Sequence, residues 1–289
     1  MKKIVLATIL SVASITASAQ VTLYGNLRGL VDNTKVGNQS ETSMVSDLSH
    51  FGIRANEKLG KGLSARAVVE TSIASTDPVS GGDTKLGDRQ STIGLTNRVG
   101  SVDIGRAFNS YFLAITNNDA FGTFYGSVAG DVHNVRTVRS GDAVFVNVKV
   151  GPANLALDRT FNSAVETTTG SVSGSLGPVT ATVAQFKSGS DTSSVFAAQT
   201  KMAGAHMFAS MSESKTNNVT TKGALVGVAL PVDRATLKAS YGQKTGDVSA
   251  FSVGADYALS KRTAIVVAYR NVDAPVKVEQ IGLGLAHKF

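Results

Sequence analysis

Cysteine and tryptophan are absent from this chain of 289 residues, proline occurs only 5 times, and charged side chains make up 17% of it. Without cysteine, no disulfide and no thiolate metal site can form. The charge content falls below the roughly 25% usual in soluble domains, which implies much surface that does not face water. Beyond residue 20 there is no run of 18 apolar residues, so no helical membrane span fits. Nor does a helical period of 3.6 persist over a dozen residues. What the chain does have is glycine, 29 in all, an apolar fraction of 42%, and 28 Lys and Arg against 21 Asp and Glu, for a formal charge of +7.

The N-terminus reads as a secretory signal peptide. "MKK" is its positive region, "IVLATILSVASIT" its short apolar region, and "ASA" at Ala17–Ala19 its small-residue cleavage site. The expected division is therefore residues 1–19 as signal and 20–289 as the mature domain. Loss of Lys2 and Lys3 with the signal lowers the basic residues from 28 to 26.

In the mature chain the dominant pattern is alternation. In "VTLYGNLRGLVD", Val21, Leu23, Leu27 and Val31 share one face, and Thr22, Asn26, Arg28 and Asp32 the other. This two-residue period predicts a strand. It returns in "LSARAVVETS", "VFVNVKV" and "ATLKASYG". Tight turns such as "KLGKG", "NRVG" and "LSKR" alternate with polar stretches such as "NTKVGNQSETS" and "ESKTNNVTT". Short turns at one end and longer polar loops at the other are what an up-and-down transmembrane barrel requires. The breaks delimit sixteen strand candidates. A soluble β-sandwich shares the alternation and the glycine-rich turns. The continuous polar face, the lack of tryptophan and the C-terminal strand "GLGLAHKF" count against it. A closed barrel pairs its last strand with its first and leaves no edge. Phe289 is then expected at the rim, with Leu283, Leu285 and His287 sharing its outward parity.

The stretches "VTLYGNLRGL", "SHFGIRANEKLGKGLSARAVVETS", "DRQSTIGLTNRVGSVDIGRAFNSYF", "NDAFG", "YALSKRT" and "GLGLAHKF" resemble the general porins of Gram-negative outer membranes, especially the β-proteobacterial and neisserial type. The resemblance implies an all-β, sixteen-stranded antiparallel transmembrane barrel, exported through the periplasm and placed in the cell outer membrane. It further implies a homotrimer, with loop 3 folded into the lumen as a constriction. Its expected partners are outer-membrane lipid and lipopolysaccharide, small anions and solutes, and the barrel assembly machinery, which reads the terminal Phe289. The outer face near Val21 to Val31 and the loop from Ala74 to Lys85 are where the resemblance places subunit packing.

Parity puts Arg28, Arg54, Arg66 and Lys149 on the polar, inward face, with Asp32 and Glu70 as inward acids. Arg106, in "VDIGRAFN", matches the family motif that supplies a wall arginine opposite loop 3, yet strict alternation gives it the parity of outward Val102 and Ile104. An arginine facing lipid at mid-depth costs about 2 to 4 kcal/mol. A bulge near Gly105 that turns Arg106 inward is therefore expected. Arg89 has the same parity problem, but at a strand start, where a headgroup position would cost little. Arg136 and Arg139 both match the region of another wall arginine, and the sequence does not choose between them. Loop 3 is expected from about Asn109 to Val135, the longest interval without a regular strand. Its acids are Asp119, in "DAFG" where the family has an acid-Pro-Phe-Gly motif, and Asp131. Four to six wall arginines against two loop acids predict a net positive constriction and moderate anion preference. Pairing of the arginines with Glu70, Asp103 and Asp119 would instead leave a nearly neutral pore.

Other chemistries find little support. His50, His133, His206 and His287 lie far apart and lack metal-ligand spacing. His206 and Ser210 share a face, but no orienting acid accompanies them. "GSVSGSLG" has no Lys and no following helix, so it is no phosphate loop. The basic residues are dispersed by alternation, which argues against nucleic acid. The expected function is thus a passive, water-filled diffusion channel for ions and small hydrophilic solutes, without catalysis or cofactor. The competing reading is a barrel acting mainly as a structural, adhesive or receptor surface protein, against which the short later loops speak.

Overall fold

The computed structural model describes residues 19–73, 85–135, 137–161 and 165–289. The signal-peptide segment up to residue 18, most of the loop expected to pack subunits, and Arg136 lie outside them.

Seventeen β-segments form one sheet. They are β1 (Gln20–Val36), β2 (Gln39–Ser46), β3 (His50–Gly60), β4 (Leu63–Ser72), β5 (Gln90–Thr96), β6 (Gly100–Phe108), β7 (Arg139–Val150), β8 (Ala153–Thr160) and β9 (Thr167–Leu176). There follow β10 (Val179–Ser188), β11 (Asp191–Met202), β12 (Ala205–Thr216), β13 (Val219–Val232), β14 (Ala235–Lys244), β15 (Val248–Ala258), β16 (Thr263–Asp273) and β17 (Val278–Lys288). Every pairing is antiparallel, and β1 pairs with β17 from Asn26↔Lys288 to Val36↔Val278, which closes the ring. The upper half of β1 pairs with β2 and the lower half with β3, so these two segments are one strand broken at Asp47–Ser49, where Leu48 takes φ 55°. The barrel therefore has the sixteen strands that the alternation predicts.

Closure satisfies the backbone to the last residue. The Phe289 amide donates to Gly25 O and the Gly25 amide to Phe289 O, both at 3.1 Å. On the outer surface Val21, Leu23, Leu27 and Val31 are exposed, as are Ile281, Leu283 and Leu285 on the neighbouring closing strand. Burial in lipid, which satisfies no polar group, accounts for this apolar exterior.

Along β11–β15 the inner face carries, beside apolar residues, a series of small polar ones: Ser193, Ser210, Ser212, Ser240 and Ser252 are all buried. They are buried because the segment between β6 and β7 lies against them. That segment carries two short helices, α1 (Ser110–Thr116) and α2 (Ala129–Val132). Asn109 caps α1, its Oδ1 accepting from the Phe112 amide at 2.7 Å while its Nδ2 donates to Thr137 O at 2.6 Å. Tyr111, Ala114 and Ile115 of α1, with Val128, Ala129 and Val132, form one apolar cluster with the inward Ala184, Phe186, Val195, Leu225, Ala250 and Val272. The approach is close: a Cβ at Gly223 would meet Val132 O at 2.2 Å, and one at Gly242 would meet Val132 Cγ2 at 2.5 Å.

Candidate functional site

Polar moorings fix the inner segment at four places. At its base the Ser110 amide donates to Asp158 Oδ1 at 2.9 Å, and Asp158 also accepts from Thr169 and Ser140. In its middle the Tyr125 amide donates to Asp47 Oδ2 at 3.0 Å and the Tyr125 hydroxyl to Asp32. Burial, with the Asp32 bond second, holds the Tyr125 phenol above its ordinary value. Further on, Asp131 is gripped by Arg270, with its Oδ1 2.5 Å from Nη2. Finally, His133 is fully buried, its Nδ1 2.8 Å from Ser212 Oγ and its Nε2 2.8 Å from Ser210 Oγ. Burial pushes this imidazole down to about 4, so it is neutral at pH 7.

The strand break at Asp47 serves this arrangement. It lets one carboxylate accept both the Tyr125 amide and Arg28 Nε, the latter at 2.8 Å. A broken ladder that re-aims a side chain is the usual work of a bulge.

With the segment seated on β9–β17, open space is left on the opposite side of the lumen. Two adjoining cavities of about 530 and 400 Å³ lie between α1 and the wall from β3 to β9. Arg54, Arg66 and Asp103 line the first, and Arg66, Lys149 and Asn117 the second.

The expected site residues divide accordingly. Arg54 lies over the Tyr24 ring at 4.9 Å and has no carboxylate within 4 Å among the described residues. Arg66 is paired with Asp103, its Nε donating to Oδ1 at 2.6 Å. Lys149 is exposed and has no carboxylate within 4 Å among the described residues. Arg28 is buried, held by Asp47 and stacked at 4.4 Å on Phe124, so it sits behind the inner segment and outside both cavities. Glu70 is taken by Arg89 at 2.7 Å. Arg139 stacks on Phe108 at 4.2 Å, and its buried Nε has no hydrogen-bond partner among the described residues. Asp119 accepts from the Thr123 amide at 2.8 Å and Ser127 Oγ at 2.7 Å, so it braces the turn of its own loop.

Arg106 departs from the inward aim expected of it. A register shift does occur between Gly105 and Ala107, but on the β7 side, where Ala107 pairs with Ser140. Against β5 the register is unbroken, and Arg106 stands opposite Ser91 on the face of Ile93 and Ile104. Its Nε donates to Asp88 O at 2.6 Å, which ties the guanidinium to the end of the loop before β5. Arg89 also departs from the headgroup position expected of it. It precedes β5, so strand parity does not govern it, and it turns in to Glu70.

Several anchoring residues escaped the sequence reading: Asp47, Tyr125, Asp158 and Arg270. Tyr125 and Asp32 are 93 positions apart, Arg270 and Asp131 139 apart, and no local pattern links such pairs. An aspartate in a strand interior, as at position 158, was the one available signal.

This geometry matches known proteins at three levels. A family model described as Gram-negative porin covers residues 6–275. The major outer membrane protein P.IB of Neisseria meningitidis serogroup B is 33% identical over 115 residues, 37% of this chain and 34% of that protein. P.IB of Neisseria lactamica is 28% identical over 158 residues, 52% of this chain and 45% of that protein. The matched stretches thus span between a third and a half of these curated relatives. Among solved structures, the anion-selective porin from Comamonas acidovorans superposes with a TM-score of 0.81 at 20% identity, covering 94% of this chain and 100% of that one. OmpT of Vibrio cholerae, in its trimer form, gives 0.72 at 14% identity, with 94% and 99% covered. A closed sixteen-stranded barrel, a match to the family over most of the chain and outer-membrane relatives together place this protein in the Gram-negative porin family, in the outer membrane.

Proposed function

We propose that the protein is a passive diffusion channel for ions and small hydrophilic solutes, with a preference for anions. The observation that carries the reading is the uneven neutralisation of charge around the lumen. The acids of the inner segment are spent, Asp131 on Arg270 and Asp119 on its own turn. Arg54 and Lys149 line the open cavities with no carboxylate within 4 Å among the described residues. Fixed charge of one sign in a narrow aqueous passage enriches the counter-ion. The pairs Arg66–Asp103 and Arg89–Glu70 reduce this excess without cancelling it. The inner segment acts as the constriction, because it divides the lumen and leaves the cavities beside β3–β9 open.

The proposed mature chain begins at Gln20 and works without cofactor or catalysis as a homotrimer, as the trimer form of the Vibrio cholerae relative supports. Phe289 serves the assembly machinery as its recognition end. A receptor or adhesive role is disfavoured because the loop-end connections after β10 and β12 are two residues long, leaving little surface to present. The test is Arg54→Ala in planar bilayers under a KCl gradient. The chloride-to-potassium permeability ratio should fall; an unchanged ratio with intact conductance would remove Arg54 from the selective site.

A further inference from the structure

The lumen carries a second set of cations at the end of the barrel that holds both termini. Lys58 has the inward parity of Arg54 and stands opposite Ser64, close to the turn that joins β3 to β4. Lys149 holds the corresponding place on β7, opposite Asn154. Lys201 holds it on β11, opposite His206 and on the face of Gln199, whose Oε1 lies 2.7 Å from His206 Nε2. Lys288 completes the series on β17, opposite Asn26 and with the parity of buried Ala286. Each is the last inward side chain of its strand, and the four strands are well separated around the ring. All four lysines are exposed, and none has a carboxylate within 4 Å among the described residues. Nearby, Lys238 is matched by Asp256 at 2.6 Å, and Arg234 adjoins Asp233 in the β13–β14 turn. Elsewhere in the lumen opposite charges are matched: Arg28, Arg89 and Arg270 each hold a carboxylate. Asp32 and Asp119, held by hydroxyls and an amide, stand against Arg139 and inward Lys244. Apart from Arg54 at the constriction, unmatched charge is therefore gathered at one mouth.

We propose that Lys58, Lys149, Lys201 and Lys288 form a collar at the mouth with the short turns, which selects anions a second time and makes conduction depend on direction. The short turns of such barrels face the periplasm, so the collar lies at the inner mouth. The inference rests on the channel reading and adds to it a device outside the constriction. A ring of like charge enriches the counter-ion at one entrance of a narrow passage. Chloride driven in through the collar starts from a raised local concentration, whereas chloride driven in from the outer mouth does not. The larger current therefore belongs to the first direction. Screening sets the range of the effect, because the Debye length is about 10 Å at 0.1 M salt and about 3 Å at 1 M. The asymmetry is thus a property of dilute salt.

The test is recording from single insertions of the folded barrel in symmetric KCl, at roughly 0.1 M and 1 M, for wild type, Lys58→Gln/Lys201→Gln/Lys288→Gln and Arg54→Ala. The reading is the ratio of instantaneous currents at equal and opposite voltages. In wild type it should depart from one in the dilute salt and return to one in the concentrated salt. The triple variant should stay near one in both, while Arg54→Ala should keep the wild-type asymmetry. Under a KCl gradient, exchanging the dilute and concentrated sides should change the size of the zero-current potential of a wild-type channel, because only dilute salt leaves the collar unscreened. The triple variant should give equal sizes. A wild-type ratio of one in dilute salt, or an equal departure in the triple variant, would overturn the proposal. Openings without asymmetry would remove the collar alone, whereas folded protein without openings would remove the channel reading and the collar with it.

Discussion

Arg28 and Arg54 leave neighbouring strands with the same inward parity, yet they meet different fates. Arg28 is locked to Asp47 beneath Phe124, whereas Arg54 faces open space over Tyr24. Arg28→Ala should therefore destabilise the barrel more than it alters selectivity. Removing one partner of a buried pair costs about 3 to 5 kcal/mol, and a lowered urea midpoint would register it. His133 gives a pH prediction of definite sign. Its folded-state value of about 4 lies below the roughly 6.5 of an unfolded histidine, so the unfolded chain binds the extra proton first. The contribution is fully present above about pH 6.5, declines as pH falls, and is lowest below about pH 4. His133→Gln should flatten the fall in unfolding temperature between pH 7 and pH 4.5 relative to wild type; an identical fall would show that the mooring does not titrate. Parity gave the inward face of both arginines, but it could not tell a wall position under the inner segment from one beside the opening.

The inner segment is the element on which the channel reading turns. Its extent was legible as the longest interval without alternation, from Asn109 onwards. Its seat was not, because the wall that receives it is written in serine and glycine, residues that alternate as well as any others. Only the geometry shows that Ser210 and Ser212 receive His133 and that Gly223 admits Val132. Gly223→Ala would set a methyl 2.2 Å from a backbone oxygen, which must move away from the wall. Since the open space lies on the other side of the segment, it should move into the passage. Lower single-channel conductance and a lower unfolding temperature are expected, and unchanged values of both would mean that the seat is looser than drawn.

At the scale of the whole molecule, closure and lipid exposure were the most legible properties. Alternation of apolar and polar residues is the direct consequence of a wall with lipid on one side and water on the other. The break at Asp47–Ser49, by contrast, has no signature in that period, since both halves of the strand alternate correctly on their own. Phe289 closes the ring through reciprocal bonds with Gly25. Its deletion should lower the yield of heat-modifiable, folded barrel in the outer membrane, and an undiminished yield would deny the terminal residue a part in assembly.

The central claim is a channel whose unneutralised arginines and lysine favour anions. The measurement that tests it most directly is the zero-current potential, with single-channel conductance, of the mature protein in a planar bilayer under a KCl gradient. Stepwise openings with a potential displaced towards the chloride equilibrium value are predicted. Openings with a potassium-directed potential would contradict the charge assignment, and folded protein without openings would contradict the channel itself.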